Sequence, residues 1–336
     1  MDSTVASITE PTAQEDEDFH KVSVYTVLNL LIGLIGVFGN GVVLLVIFRS
    51  RKTKKSRLHN AFVVNQTAMD LVSSVFLAIT FTYKMAPTIH MEGSAGLALC
   101  ICLEGEGLLW TFFSASAFSL MSLTFERYIK IVFPIRHHTS FTDSKKVAML
   151  AMSWLVPFCW LLPFILISTK TENGKCSYQG FWPSAGLASF YGWTYIMMFY
   201  FIPLAFFIYS YGHMLWTLHK RNVQVGEKQQ PGGHVSKAQV NIIKTMVLVS
   251  ACFAILWAPT NVYYFAYING LYHGEYFSPV YFIFNIICFT NSVINPFIYA
   301  LKIAEFREMV LVMFGLKKST TTSVRSFSAG TTTAIR

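Results

Sequence analysis

The sequence predicts an all-α membrane protein: a seven-transmembrane helix bundle with a short amphipathic eighth helix. Three observations carry that prediction. Of 336 residues, 54% are hydrophobic, 16% aromatic and only 13% charged, a balance foreign to soluble chains. Apolar runs longer than about 18 residues, enough for a helix to cross a bilayer, recur along most of the chain. Basic residues gather in alternate connecting segments, as the positive-inside bias requires.

The spans are placed at roughly 24–48, 58–87, 98–132, 146–168, 187–218, 238–269 and 277–301. They divide the chain into an extracellular acidic segment (1–23), the seven-transmembrane domain (24–301), a membrane-surface helix (302–316) and a disordered cytoplasmic tail (317–336). Arg49, Arg51, Lys52, Lys54, Lys55 and Arg57 fill the first loop; Arg136, Lys145 and Lys146 the third; Lys220, Arg221, Lys228 and Lys237 the fifth. The opposite side holds only Lys21, Lys84, Lys170 and Lys175. The amino terminus is therefore expected outside and the carboxyl terminus in the cytoplasm, at the plasma membrane. The net charge of +9 is read as topology, with membrane lipids as a secondary partner and no nucleic acid.

Residues 1–23 are polar and acidic, without the basic start and apolar centre of a signal peptide, so the first span is expected to act as an uncleaved insertion signal. The one Asn-x-Ser/Thr match, Asn65-Gln66-Thr67, falls inside a span. The first span carries Gly39-Asn40-Gly41, which suits close helix packing. In the second, Asp70 lies deep in hydrocarbon, where an unpartnered carboxylate costs a few kcal/mol, so it needs partners.

The third span is the axle of the reading. Leu109, Phe113, Ser116, Leu120, Thr124 and Arg127 share one partly polar face, which must look inward, and Glu126-Arg127-Tyr128 closes the run. Trp154 and Pro157 mark the fourth span, Pro203 and Tyr211 the fifth, and Phe253, Trp257 and Pro259 the sixth. In the seventh, Asn291, Asn295 and Tyr299 share a face, with Ser292 beside them, and Pro296 interrupts the helix. These prolines remove backbone hydrogen bonds and supply hinges. Ile303, Phe306, Val310 and Phe314 line one side of the following amphipathic segment. Cys159, Cys252 and Cys288 fall inside spans; Cys176, in an outer loop, can pair with Cys100 or Cys102.

Gly39-Asn40, Asp70, Glu126-Arg127-Tyr128, Trp154, Trp257-x-Pro259 and Asn295-Pro296-Phe297-Ile298-Tyr299, in this order, resemble the rhodopsin-like (class A) G-protein-coupled receptors over about residues 24–315. The resemblance is strongest in character to the peptide receptors. It implies a receptor, not an enzyme, that binds an extracellular ligand and activates a heterotrimeric G protein by outward movement of the sixth helix. It favours Cys102 over Cys100 as the partner of Cys176, by its distance before Arg127. It implies that Arg127 pairs with Glu126 at rest and turns toward Tyr211 on activation, and that Phe253, Trp257, Pro259, Asn295, Pro296 and Tyr299 transmit the change. The place of the sixth-helix acid that often completes the lock is taken by Gln239, so a weaker lock and basal activity are expected. Asp70, Ser116, Asn291, Ser292 and Asn295 resemble the family's sodium pocket, and a carboxylate among amide and hydroxyl oxygens suits that ion. There is no other cofactor expectation. The tail from Ser319 is offered to receptor kinases and arrestin.

Leu109 stands where aminergic receptors carry an aspartate, and Phe289 where opsins carry the Schiff-base lysine. Neither a monoamine nor retinal is expected. The expected pocket comprises Glu104, Glu106, Leu109, Trp110, Phe113, Tyr195, Phe199, Trp257, Asn261, Tyr264 and Tyr281: an aromatic wall with one amide and an acidic rim. That rim favours a short peptide with a basic residue or free amine. The alternative is a small non-peptide metabolite or lipid mediator. A channel or transporter is remote, because Asp70 is the one deep charge and no inverted repeat exists.

Overall fold

The computed structural model describes residues 13–50, 61–86, 90–178, 182–228, 237–302 and 304–316. Among the described residues seven helices are long and apolar enough to cross a membrane: Val24–Arg49, Ala61–Tyr83, Gly107–Val132, Asp143–Ser168, Ala185–Arg221, Ile243–Ile268 and Pro279–Lys302. They match the expected seven within a few residues, apart from the start of the third. Large apolar side chains such as Phe38, Ile208 and Ile255 point outward, 69%, 67% and 69% exposed, which only a lipid surround makes favourable.

The first helix, α1 (Ala13–Ser50), begins before residue 24. Nothing in the sequence between Ala13 and Val24 breaks a helix. It packs along α2 (Ala61–Tyr83) at Gly33, where a Cβ would lie 2.8 Å from the Ala78 amide, and against the seventh span at Gly39, where one would lie 3.2 Å from the Pro296 ring. The basic first loop and the tail from residue 317 lie outside the described residues.

The third span is not one helix from residue 98. A short α3 (Gly93–Leu99) runs into a π-helical turn, Cys100–Glu104. The chain then steps at Gly105 and Glu106, and α4 (Gly107–Val132) starts afresh. Glu106 takes the left-handed conformation, φ 57°, uncommon for any side chain but Gly. Hydropathy alone did not show this break, because both sides of it are apolar. Below it α4 is the centre of the bundle and touches α2, α6 (Asp143–Ser168), α8 (Ile202–Lys228) and α9 (Lys237–Ile268). Its most apolar stretch is 61% buried, against 17% for the fourth span.

The step decides the disulfide. Cys100, not Cys102, bonds Cys176. Two residues along a helix turn a side chain to nearly the opposite side, so the two thiols cannot face one partner. Cys100 is fully buried against the outer hairpin, whereas Cys102 is a free, half-buried thiol. Counting back from Arg127 presumes a regular helix, and the π turn breaks that count. The hairpin pairs β1 (Thr169–Glu172) with β2 (Lys175–Tyr178), Thr171 opposite Cys176. Its two-residue turn, Asn173 (φ 51°) and Gly174 (φ 74°), has the positive angles of a type I′ turn. The Met91 amide donates to the Gly174 carbonyl at 2.9 Å, tying the hairpin to the start of α3.

On the other face, α5 (Pro134–Ser140) forms a loop helix started by Pro134. The fifth span joins α7 (Ala185–Ile196) to α8 through a π turn, Met197–Phe201, just before Pro203. Proline clashes with the carbonyl four residues back, and the wider turn absorbs that clash. The seventh divides at Thr290 into α10 (Pro279–Phe289) and α11 (Asn291–Lys302). After it, α12 (Ala304–Met313) buries Phe306 against Tyr299, ring centres 6.5 Å apart. It ends at Gly315, φ 72°, with Leu316 donating to the Leu311 carbonyl.

Candidate functional site

Three constellations lie along the axis of α4. The middle one surrounds Asp70, which is 1% exposed. Ser116 Oγ donates to its Oδ1 at 2.5 Å and Asn295 Nδ2 to its Oδ2 at 2.7 Å, joining second, third and seventh spans. Gln66, one turn before Asp70, bridges both: its amide donates to Ser116 Oγ at 2.8 Å and to the carboxylate at 3.2 Å. The sequence reading quoted Gln66 but did not place it here, although the four-residue spacing was there to read. Asn291 and Ser292 are buried nearby without a hydrogen bond to Asp70. Ser292 instead donates to the Phe289 carbonyl, and its own carbonyl accepts from Asn40 at 2.8 Å. Gln66 Oε1, Asn295 Oδ1 and Ser73 Oγ are buried without a hydrogen-bond partner among the described residues. Carboxylate, hydroxyl and these amide oxygens are the donor set of a hard monovalent cation.

The inner constellation centres on Arg127 and Glu126. Arg127 Nε stands 3.2 Å from Glu126 Oε2, an ion pair whose N–H is not aligned as a hydrogen bond. His137 of α5 places Nε2 3.5 Å from the other Glu126 oxygen. Burial pushes the His137 imidazole below its ordinary 6.5, and the Glu126 carboxylate offsets only part of that. Tyr211 is held away from Arg127: its hydroxyl lies 2.9 Å from Thr124 Oγ1 and 3.0 Å from Ser250 Oγ, pinning third, fifth and sixth spans together. Tyr128 is bonded to His213 at 3.0 Å. Tyr299 packs on Phe306. The side chain of Gln239 lies outside the described residues.

Between the inner lock and the outer mouth runs a column of rings. Trp257 contacts Phe253 (centroids 5.2 Å), Phe253 contacts Phe207 (5.9 Å), and Phe207 stacks on Tyr211 (6.2 Å). Asn261 donates to the Trp257 carbonyl at 2.8 Å, bracing the turn that holds Pro259. Phe207 was missed, though it stands four residues before Tyr211, as Phe253 does before Trp257. Trp154 donates to Asn65, whose amide reaches Ser119 and Ser153, so it knits second, third and fourth spans.

The outer constellation corrects the expected pocket. A cavity of about 60 Å³ is lined by Trp110, Tyr195, Asn261 and Tyr264, as expected, together with Phe164, Trp182, Tyr191, Thr260 and Tyr276. Leu109, Phe113, Phe199 and Trp257 are at most 1% exposed and belong to the packed core beneath it. Tyr281 packs on Tyr276 at 4.7 Å, one ring removed. Neither Glu104 nor Glu106 lines the cavity. Glu106 is not a free rim acid: Lys84 donates to its carboxylate at 2.7 Å, and Glu106 is 3% exposed. In the outer segment before α3, Glu92 stands 2.8 Å from His90.

A seven-helix bundle with a lattice of buried polar groups, joined by aromatic rings to a small outer cavity, is the architecture expected of a membrane receptor. The sequence matches the 7 transmembrane receptor (rhodopsin family) over residues 39–299, and the chain belongs to that family, a family of receptors and not of enzymes. It is similar to the human Substance-K receptor, 27% identical over 294 residues, 85% of this chain and 71% of that protein. The bovine Substance-K receptor is 26% identical over 85% of this chain and 74% of its own length. The human Adenosine receptor A2a is 26% identical over 85% of this chain and 71% of its own. The protein is thus a multi-pass plasma-membrane protein of the class A receptors.

Proposed function

We propose that the chain binds an extracellular ligand, a short peptide that anchors one side chain in the aromatic cavity, and activates heterotrimeric G proteins by outward movement of the sixth span. The amino terminus lies outside and the carboxyl terminus in the cytoplasm. Two facts support that orientation: the disulfide face needs an oxidising compartment, and the basic loops lie on the face of Arg127.

The observation that carries this reading is the continuous line from the cavity toward the inner ends of the third, fifth and sixth spans: Asn261, Trp257, Phe253, Phe207, Tyr211, then Thr124 and Ser250. A ligand that presses differently on the two arrangements of this line shifts their equilibrium. The size of the cavity supports a peptide: with about 60 Å³ it takes one side chain, not a whole drug-sized ligand. The basic residue expected of that peptide loses its main support, because Lys84 neutralises Glu106.

A second reading, a small uncharged metabolite, is favoured by a lining that holds no charged residue among the described residues. The relatives named for substance K and for adenosine match at nearly equal identity and do not choose between the two. We further propose that Asp70, Ser116, Gln66 and Asn295 hold a sodium ion that favours the resting arrangement, and that kinases and arrestin act on the Ser/Thr-rich tail.

The test is nucleotide exchange by purified Gα subtypes with the receptor in lipid nanodiscs, screened against peptide and metabolite libraries. A Phe253→Ala variant should bind the hit ligand within about threefold of wild type yet lose most exchange. Full exchange from that variant would break the proposed line.

A further inference from the structure

At their inner ends the sixth and seventh spans enclose a groove of about 570 Å³ that none of the three constellations uses. Its walls are the start of α9 and the end of α11. Asn241 and Lys244 stand on one wall and Lys302 on the other, with Leu248, Ala251 and Leu301 completing the lining. From Asn241 to Ala251 the groove climbs about 15 Å at about 1.5 Å per residue. That is half of a roughly 30 Å hydrocarbon core, so the groove is one leaflet tall.

Its chemistry is graded along that height. The foot carries two ammonium groups and an amide; Leu248 and Ala251 above them are exposed to the surroundings and apolar. Among the described residues neither Lys244 nor Lys302 has an acidic partner. Two lysines that only snorkelled would need no shared concavity, and an apolar groove that only packed against acyl chains would need no cations at its foot.

We propose that this groove binds one anionic phospholipid of the cytoplasmic leaflet, its phosphate-bearing headgroup between Lys244 and Lys302 and an acyl chain along Leu248 and Ala251. The leaflet follows from the orientation proposed above; the site itself follows from the groove. Each near-surface lysine strengthens attraction to an anionic headgroup about fivefold, so the pair supplies about 25-fold. The groove's walls are the helix proposed to swing and its neighbour. A lipid that fits one spacing of them better than the other therefore biases the receptor's equilibrium.

The test is native mass spectrometry of the full chain released from nanodiscs of phosphatidylcholine containing about one tenth phosphatidylinositol bisphosphate. Wild type should retain one anionic lipid. Lys244→Gln and Lys302→Gln should each lower its occupancy about fivefold, and the pair about 25-fold. A Lys145→Gln, Lys146→Gln control on the same face should change it less than twofold. Leu248→Trp, which fills the acyl part and leaves both lysines in place, should also expel the lipid; thermal melting confirms that each variant is folded. Equal losses in the control pair, or full retention by Leu248→Trp, would overturn the site. Competition by water-soluble inositol trisphosphate as strong as by the lipid would show a free-anion site and overturn the lipid assignment. Retention unchanged when the membrane orientation itself proves inverted would assign the groove to the outer leaflet, and so refute the orientation and not the groove.

Discussion

Removing the charge of Glu106 separates two roles that one carboxylate cannot hold together: ligand contact and structural pin. Lys84 Nζ lies 2.7 Å from Glu106 Oε1, with side-chain exposures of 17% and 4%. At that distance and an effective dielectric of about 20, the Coulomb attraction is about 6 kcal/mol before desolvation is subtracted. Breaking a fully buried pair by removing one partner typically costs about 3–5 kcal/mol. Here Lys84 keeps some water and lies 5.6 Å over the Phe81 ring, so we expect about 2–3 kcal/mol for Glu106→Gln. Lys84→Met combined with Glu106→Gln should recover part of that loss, because the ammonium that faced the carboxylate is removed together with it. The assay is a double-mutant cycle on thermal or denaturant unfolding in nanodiscs, run beside a ligand dose–response. If Glu106→Gln leaves stability within about 0.5 kcal/mol of wild type but weakens a cationic ligand tenfold, Glu106 serves the ligand and our assignment fails.

Four further outcomes are expected. Tyr211→Phe keeps the ring on Phe207 but loses both hydroxyl contacts; at about 1 kcal/mol each, the resting arrangement weakens about tenfold or more and ligand-free nucleotide exchange rises. Cys100→Ser should abolish the bond to Cys176 and destabilise the outer face, whereas Cys102→Ser should leave the disulfide intact in a peptide map and the melting temperature nearly unchanged. Replacing choline chloride by sodium chloride at equal ionic strength should raise the melting temperature of the resting receptor, and Asp70→Asn should erase that increment; equal melting in both salts would remove the sodium proposal. Because burial holds the His137 imidazole below 6.5, the unfolded chain takes up that proton first as pH falls. Stability should be flat above about pH 7 and decline below 6.5, and His137→Gln should lessen that decline in melting scans.

The seven spans were legible because lipid imposes a simple rule of length and apolarity that hydropathy reads directly. The Asp70–Ser116–Asn295 set was legible too, since a carboxylate in hydrocarbon obliges polar neighbours. What escaped was geometry that a long hydropathy window averages away. The step at Gly105 and Glu106 keeps both flanks apolar yet rotates the outer chain, and with it the choice between Cys100 and Cys102. The pairing of Lys84 with Glu106 joins two spans, so from the sequence Glu106 reads as a rim acid of the pocket and Lys84 as a stray outer charge. Thr124 was correctly set on the inward face, but its partner Tyr211 emerged only once the fifth span was in place. Of the expected aromatic wall, Trp110, Tyr195 and Tyr264 line the cavity, while α7 and the residues just before it add Tyr191 and Trp182, which periodicity on α4 cannot see.

Gly39, against the Pro296 ring, carries a consequence of its own. A bent rod can flex only if whatever lies beside the bend lets it slide. The first span offers there a smooth rail, with backbone in place of a side chain, and Asn40 beside it grips the Ser292 carbonyl like a single hinge pin. A methyl group on that rail would stand 3.2 Å from the ring, so the ring would have to yield each time the bend moved; a receptor so altered should hold its ligand and signal less.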